Sequence, residues 1–294
     1  MNILITGANG QLGNELRTIA PLHPDYYFFF TDIEDLDITN KTEIDSFIST
    51  HQIHAIINCA AYTAVDKAES EEDIAYKINA TAVKNLAENV LKHNLFLIHI
   101  STDYVFDGNR TQPYRTEDTP HPISAYGRTK LAGERCILDL GIRAAIIRTS
   151  WLYSSFGNNF VKTMLRLGSE RHEISVVADQ FGAPTYAADL ADACLKIIAQ
   201  SQKITQPEIF HYANKGAISW ADFAAKIMEL ANLSCMVKRI NTSDYPIAAE
   251  RPKYSVFEVS KIENLFDLQI PSWEVSLKKC LKHHFIPKSA TSIQ

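Results

Sequence analysis

The chain has 294 residues, of which 46% are hydrophobic and 21% are charged, and its formal net charge is -5. These values predict one large or two modest globular domains. They argue against nucleic acid as the main partner, because no basic stretch offsets the negative charge. No apolar run approaches the roughly 18 residues that a membrane span requires, so we expect no membrane partner.

The cysteines indicate a reducing environment. They are scattered, odd in number and without paired spacing, which fits neither a disulfide framework nor a zinc site. We expect no signal peptide, because the first apolar run is short and leads directly into a glycine-rich loop. The sequence therefore predicts a cytoplasmic protein. The five positions are Cys59, Cys136, Cys194, Cys235 and Cys280.

In the first half of the chain, short apolar runs alternate with helix-like segments. The predicted strands are 2–6, 26–31, 55–58, 95–101 and 144–149, and the predicted helices are 14–19, 41–50, 70–92 and 130–140. Nearly continuous apolar strands between amphipathic helices are typical of a parallel sheet that is covered on both faces. The pattern predicts an α/β fold with a doubly wound parallel sheet of the Rossmann type, which binds ligands at the carboxyl ends of its strands.

A glycine-rich turn follows the first predicted strand. Gly7, Gly10 and Gly13 recur every third residue between that strand and a predicted helix. One glycine permits a tight turn, another lets the backbone approach a pyrophosphate, and the last lets helix and strand pack closely. The amides at the helix start would then face the phosphates. An ordinary glycine turn is the alternative, but the position after an N-terminal strand favours a dinucleotide loop.

The end of the second predicted strand carries an acidic residue. Asp32 lies 25 positions after Gly7, and an acid about 20 positions beyond the glycines commonly binds the adenosine ribose. Such a contact favours NADH, and residues 31–40 contain no Arg for a 2′-phosphate. A turn or N-cap role for Asp32 is equally open. Asp37 and Ile38 would add a second contact near the adenine.

The third and fourth strand ends carry small and hydroxyl side chains. Residues 60–63 would let a flat ring system lie against the backbone. Residues 101–104 place hydroxyls at a strand end, where they can hydrogen-bond a substrate carbonyl. Taken alone, the residues at 101–104 are equally typical of an ordinary turn.

Tyr126 and Lys130 share one face at the start of a predicted helix, because residues four apart are neighbours on a helix. A nearby cation favours phenolate and lowers a tyrosine pKa from about 10. Tyr126 would thereby become a usable proton donor or acceptor. The spacing alone is common on surface helices. The catalytic interpretation of Tyr126 and Lys130 therefore depends on the glycine loop and the strand ends as well.

After about residue 150 the pattern becomes less regular. Predicted strands at 175–178, 209–213 and 237–240 mix with predicted helices at 159–167, 188–199 and 220–231. We predict that residues 1–150 form a dinucleotide-binding domain, to which roughly 186–213 return. Residues 151–185 and 214–294 are predicted to form a smaller C-terminal substrate-binding lobe.

Four motifs together resemble the extended short-chain dehydrogenase/reductase family. They are Gly7-x-x-Gly10-x-x-Gly13, Asn58-x-Ala60-Ala61, Ser101-Thr102-Asp103 and Tyr126-x-x-x-Lys130. Further strings cover nearly the whole chain and are most similar to those members of the family that reduce dTDP-linked keto-sugars. These strings lie at residues 10–13, 64–71, 101–106, 126–134, 148–151, 158–160, 179–185 and 251–252.

The resemblance implies reduction of the 4-keto group of dTDP-4-dehydro-β-L-rhamnose to dTDP-L-rhamnose, with NADPH or NADH as the cofactor. Tyr126 would donate the proton, Lys130 would hold the nicotinamide ribose and tune Tyr126, and Thr102 would orient the carbonyl. The glycine pattern, the strand ends and the resemblance assign to the cofactor site Gly7, Gly10, Gln11, Leu12, Gly13, Asp32, Asp37, Ile38, Ala60, Ala61, Tyr62, Thr63, Tyr126 and Lys130. The predicted contacts to the dTDP-sugar are Val65, Thr102, Asp103, Tyr104, Trp151 and Arg251.

The resemblance also bears on metal binding and assembly. Some relatives form magnesium-assisted dimers through acidic clusters. Glu15 is present in this chain, but the acidic pair around Asp189 is incomplete, so we predict no metal. A homodimer stays open. Arg251 is either a phosphate contact or the anchor of a loop.

Three alternatives have different consequences. Sugar-nucleotide dehydratases of this fold carry an Asp-Glu pair, but here Asp103 is followed by Tyr104. Another nucleotide-sugar reductase or an epimerase would share most of the motifs. The regulatory subunit of methionine adenosyltransferase also resembles this family, and would be an NADP-binding partner protein without turnover. Gln11 and the run at 68–71 fit the reductase better.

Overall fold

The computed structural model describes residues 1–245 and 248–285. Its longer strands are β1 (Asn2–Thr6), β2 (Tyr27–Thr31), β3 (Ala55–Asn58), β4 (Phe96–Thr102), β5 (Ala144–Thr149), β7 (Glu173–Val177), β10 (Glu208–Tyr212) and β12 (Met236–Ile240). Two-residue strands are β6 (Leu152–Tyr153), β8 (Phe181–Gly182), β9 (Thr185–Tyr186) and β11 (Ile218–Ser219).

The helices lie mainly between these strands. They are α1 (Gln11–Ile19), α2 (Lys41–His51), α3 (Val65–Ala68), α4 (Glu72–Tyr76), α5 (Ala82–His93), α6 (Ala125–Leu140), α7 (Phe160–Glu170), α8 (Ala187–Ala199), α9 (Trp220–Leu230), α10 (Ser260–Phe266) and α11 (Trp273–Phe285). Within the described ranges, none of them combines the length and the apolar character that crossing a membrane demands.

Six strands form one parallel sheet in the order β2-β1-β3-β4-β5-β10. Ile3 of β1, for example, is paired with Phe28 of β2 on one side and with Ala55 of β3 on the other. The order reverses between β1 and β3, which creates a crevice outside their carboxyl ends. The predicted doubly wound α/β fold is confirmed.

The sheet is buried on both faces, as continuous apolar strands require. Side chains alternate along β1, so that Ile3 and Ile5 enter a core beneath α1 and α8, whereas Leu4 enters the core beneath α2 and α5. Every residue of β3 and of β5 is buried. This double burial holds the strand ends in fixed positions around the crevice.

Two helices differ from their predicted bounds in ways that matter for the crevice. The segment predicted as one helix over 70–92 is α4, a π turn at Lys77–Thr81, and then α5. The helix predicted over 130–140 already begins at Ala125, because the side chain of Ser124 caps it and accepts a hydrogen bond from the Gly127 amide at 3.2 Å. Tyr126 therefore lies in the first turn of α6.

A second hydrophobic core lies between α7, α9 and α11 and includes Val161, Phe223 and Leu277. We call the elements around this core the smaller lobe. In helix α10, Ile262 and Phe266 are buried in the core of the large sheet. Residues 286–294 of the predicted segment 214–294 lie outside the described residues.

Candidate active site

A cleft of about 870 Å³ opens at the carboxyl ends of β1, β3, β4 and β5. Most of the predicted site residues line it, namely Gly7, Gly10, Gln11, Leu12, Asp32, Asp37, Ile38, Ala60, Ala61, Thr63, Val65, Thr102, Asp103, Tyr104, Tyr126, Lys130 and Trp151. Gly13, Tyr62 and Arg251 are not part of its lining. The fold thus brings the glycine loop and the Tyr126–Lys130 pair to a single cleft.

The glycines of the loop permit a tight turn and close packing. Gly7 has φ +65°, and a Cβ there would lie 2.6 Å from the Cα of Ala60. At Gly13 a Cβ would lie 2.5 Å from the Cα of Ala8, so this glycine allows α1 to pack on the loop. No side chain of the described residues caps α1, whose N-cap is Gly10. The amides of its first turn can therefore bind an anion.

Two of the acidic residues that follow β2, Asp32 and Asp37, also organise the backbone around them. Asp32 accepts hydrogen bonds from the amides of Asn9 and Ile33, both at 2.9 Å. Asp37 accepts hydrogen bonds from the amide and the hydroxyl of Thr39, at 2.8 and 2.9 Å. Asp32 thus connects the end of β2 to the glycine loop, and it lines the cleft at the same time.

The loop after β3 is held by Asn79, a residue that sequence reasoning missed. Asn79 is fully buried on the π turn, and its Oδ1 accepts a hydrogen bond from the Tyr62 amide at 2.9 Å. Its Nδ2 donates to the Tyr62 carbonyl and to the hydroxyl of Thr129 in α6, both at 3.1 Å. The Tyr62 hydroxyl donates to Glu71 at 2.5 Å. The predicted helix over 70–92 carries no local signal that distinguishes Asn79.

Tyr126 is 9% exposed and faces Thr102 and Asp103. Burial raises the pKa of Tyr126 to about 12, while a hydrogen bond with Thr102 lowers it and the charge of Asp103 raises it. The shift is opposite to the one expected from a neighbouring cation, because desolvation penalises the phenolate. At neutral pH the phenol is protonated, which is the form that a proton donor requires.

Lys130 is anchored beneath the cleft. Its side chain is 1% exposed, and its Nζ donates a hydrogen bond to the Ile100 carbonyl on β4 at 2.7 Å. Burial lowers the pKa of Lys130 to about 8, and the negative charge of Glu134 partly offsets this effect. The ammonium group is therefore present at neutral pH but is close to its titration range.

Asp103 is a buried carboxyl group in the same cleft. Burial raises its pKa to about 6, and hydrogen bonds with Ser255 and Thr102 lower it. The Thr102 hydroxyl lies 3.2 Å from the Asp103 carboxylate and also accepts a hydrogen bond from the Tyr104 amide at 3.2 Å. Thr102 therefore lies between the phenol and the carboxyl group.

Aromatic side chains close the cleft on the side of the smaller lobe. Trp151 stacks on Trp220, and Phe160 lies against Trp220 with ring centroids 4.5 Å apart. Sequence reasoning missed Trp220, whose place at the start of α9 carries no local signal of the cleft. Asn159 donates a hydrogen bond to the Gln11 side chain at 3.0 Å, which joins the lobe to the glycine loop.

Arg251 forms an ion pair outside the cleft lining. Its Nη2 lies 2.8 Å from the Asp66 carboxylate, and its Nη1 donates to the Ala249 carbonyl at 3.1 Å. The guanidinium lowers the pKa of Asp66. These contacts tie the loop before Arg251 to α3, next to Val65. In the described part of the chain, no three His, Cys, Asp or Glu side chains form a group that could hold a metal ion.

A doubly wound sheet with a glycine loop at its reversal point and a buried Tyr126–Lys130 pair in the same cleft defines the class of dinucleotide-dependent short-chain dehydrogenases/reductases. The family described as "RmlD substrate binding domain" matches residues 1–285. The chain belongs to this family, that of the dTDP-4-dehydrorhamnose reductases.

Similar proteins support this assignment along nearly the whole chain. The dTDP-4-dehydrorhamnose reductase of Aggregatibacter actinomycetemcomitans is 42% identical and covers 94% of this chain and 97% of the relative. That of Escherichia coli (strain K12) is 39% identical, with 97% and 98% covered. The crystal structure of the Bacillus anthracis enzyme in complex with NADP has a TM-score of 0.91 and 45% identity, with 96% of this chain and 99% of that chain covered.

Proposed function

We propose that this chain reduces the 4-keto group of dTDP-4-dehydro-β-L-rhamnose to give dTDP-L-rhamnose, with NADPH or NADH as the reductant. The observation that carries the proposal is the meeting of a protonated phenol, Tyr126, with the glycine loop in one cleft of about 870 Å³. The named reductases among the relatives support the substrate. Steady oxidation of NADPH by the purified chain with the dTDP keto-sugar tests it.

Each residue of the catalytic set has a distinct part in the proposed mechanism. When bound, the dinucleotide supplies the hydride. Tyr126 gives its proton to the oxygen of the reduced carbonyl, and Thr102 donates a hydrogen bond to the same oxygen. Lys130 holds the nicotinamide ribose, and its positive charge stabilises the phenolate left on Tyr126.

The binding roles are proposed on the same basis. Gly7, Gly10 and the first turn of α1 hold the pyrophosphate, while Gly13 lets α1 pack beneath it. We propose that residues 1–150, with roughly 186–213, form the dinucleotide-binding part, and that 151–185 with 214–294 form the substrate-binding part. The remaining proposed cofactor contacts are Gln11, Leu12, Asp32, Asp37, Ile38, Ala60, Ala61, Tyr62 and Thr63. The proposed sugar-nucleotide contacts are Val65, Asp103, Tyr104, Trp151 and Arg251.

Replacing Asp32 with Ala is expected to weaken NADH binding about tenfold or more, which is the usual effect of losing a hydrogen bond to a charged group. The carboxylate lines the cleft at the end of β2 and is the proposed partner of the adenosine ribose. Titration of the cofactor, followed by its fluorescence, gives the dissociation constant. The matched control is Glu34→Ala, an exposed acid two residues away. Unchanged NADH affinity in Asp32→Ala would move the ribose contact elsewhere.

We also expect kcat/KM to fall as pH rises above about 8, the value to which burial lowers the pKa of Lys130. Below this pH the ammonium is present, and above it the side chain becomes neutral and no longer stabilises the phenolate. A pH profile of NADPH oxidation measures the effect. Lys130→Arg should abolish this decline, since an arginine stays charged in that range. A wild-type profile that stays flat well above pH 8 would contradict the assignment.

The reductase is favoured over a non-catalytic NADP-binding subunit and over other nucleotide-sugar enzymes. The relatives reported above are reductases, and this chain matches them over nearly their whole length. In addition, Tyr104 stands where a dehydratase needs a Glu after Asp103. Turnover of the keto-sugar discriminates between the reductase and the non-catalytic subunit. Stable binding to a synthetase subunit without any turnover would favour the regulatory protein.

A cytoplasmic location is proposed from the cysteines, all five of which are free thiols in the structure. Fractionation of cells, followed by detection of the native chain, tests it. The homodimer remains a prediction, and light scattering at several protein concentrations measures the assembly state directly.

A further inference from the structure

Trp151 adopts a backbone conformation that bulky residues rarely occupy. It lies between β5 and β6, and its φ is +47°, in the left-handed region that disfavours a large side chain. Strained residues of this kind persist only where their surroundings hold them, and they cluster at functional sites. The position of Trp151 in the cleft lining therefore calls for a structural cause.

The indole of Trp151 is also stacked in an unusual way. Its ring centroid lies 3.4 Å from that of Trp220, and the two planes differ by 9°. Aromatic pairs prefer offset or edge-to-face arrangements with centroids about 4.5–7 Å apart, so a full overlap is imposed by the surroundings. Both indoles line the cleft, which makes the stack part of its wall.

The surroundings supply this constraint from several directions. A Cβ at Gly182 would lie 2.5 Å from the Trp151 ring, so the absent side chain makes room for the indole. The Trp151 carbonyl accepts a hydrogen bond from the Thr185 amide at 3.2 Å. On the other side, Trp220 is the first residue of α9, and Ser219 caps this helix by accepting from the Asp222 amide at 3.1 Å. Phe160 packs against Trp220.

We propose that Trp220 is a positioning residue, which holds the Trp151 indole flat before a ligand arrives and so fixes the cleft wall that the sugar nucleotide meets. Both indoles line the cleft, so the stack fixes the shape of this part of its wall. The identity of the ligand rests on the proposed function, but the positioning of one indole by the other does not.

Fluorine NMR of the fluorotryptophan-labelled chain tests the positioning without any activity measurement. The chain has three tryptophans, Trp151, Trp220 and Trp273, which single substitutions assign. In Trp220→Ala the Trp151 resonance should move and broaden, because the ring current and the restraint of the neighbouring indole are lost. The resonance of Trp273, which packs against Phe223 in the core of the lobe, should stay in place. An unchanged Trp151 resonance in Trp220→Ala would overturn the proposal.

Kinetics then separate positioning from a general loss of structure. Trp220→Ala should raise KM for the dTDP keto-sugar about two- to tenfold, the range expected for one aromatic stack, with kcat nearly unchanged. Trp220→Phe should restore most of the affinity, since it keeps a flat ring. A displaced Trp151 resonance together with a wild-type KM would overturn the role in the cleft. If the wild-type chain shows no turnover, the proposed function is rejected, but the NMR result still tests the positioning of Trp151 by Trp220.

A second variant perturbs the Trp151 ring without changing Trp220. Gly182→Ala places a methyl group against the Trp151 ring and leaves Trp220 intact. We expect the same displaced Trp151 resonance and a similar rise in KM. This variant decides the proposal if Trp220→Ala fails to fold, and a wild-type spectrum with a wild-type KM would count against it.

Discussion

Replacing Tyr126 with Phe is expected to lower kcat for the dTDP keto-sugar by at least about 100-fold, the usual effect of losing a general acid. The phenol is 9% exposed and protonated at neutral pH, since burial raises its pKa to about 12. Removal of one oxygen leaves the ring in place beside Tyr104, at a centroid distance of 5.4 Å. NADPH affinity should therefore change little. Single-turnover oxidation of NADPH and a cofactor titration measure the two quantities.

The matched control for this variant is Tyr76→Phe. Tyr76 is 50% exposed at the end of α4, so the same loss of a hydroxyl occurs there in solvent. We expect wild-type kcat and wild-type stability for this control. If folded Tyr126→Phe also retains wild-type kcat, another group donates the proton and Tyr126 is not the acid.

Glu134→Gln is expected to destabilise the fold by about 3–5 kcal/mol, the usual result of removing one partner of a buried ion pair. Glu134 and Arg148 are 0% and 1% exposed, and the carboxylate accepts hydrogen bonds from the guanidinium at 2.9 and 2.6 Å. The same carboxylate accepts one from Ser101 at 2.5 Å. The amide would leave the Arg148 charge buried without a counter-charge. Urea denaturation measures the free energy of unfolding.

A second Arg–Glu pair involving the same helix provides the control. Glu72 binds Arg128 of α6 through two contacts at 3.1 and 2.8 Å, but both side chains are nearly half exposed. Glu72→Gln should therefore cost only about 0–1 kcal/mol, as exposed ion pairs do. Equal losses in the two variants would refute the argument that burial makes the difference. Replacing both Glu134 and Arg148 with apolar residues should recover part of the loss.

The geometry of the loop after β3 shows where sequence reasoning reached its limit. Of the predicted residues at 60–63, Ala60, Ala61 and Thr63 line the cleft, whereas the Tyr62 hydroxyl donates to Glu71. The pattern over 70–92 predicted one helix, because π turns occur as single turns inside α-helices and no Gly or Pro interrupts this segment. Only the fold places Asn79, on that turn, between the Tyr62 backbone and Thr129.

The direction of the Tyr126 pKa shift is a second example. Helical spacing correctly placed Lys130 on the same face of α6, and both residues line the cleft. The spacing could not show how deeply each group is buried, nor that the Lys130 ammonium is hydrogen-bonded to the Ile100 carbonyl. Desolvation therefore dominates both titrations, and it raises one pKa while lowering the other.

Local periodicity and the glycine spacing were enough to predict the strands of the parallel sheet and the loop after β1, because these features depend on neighbours close in the chain. The tertiary structure alone decided the wall formed by Trp151 and Trp220, the support of the cleft by Asn79, and the burial of Glu134 with Arg148. Each of these joins residues on separate elements, and their energies depend on exclusion from water, which a linear sequence does not specify.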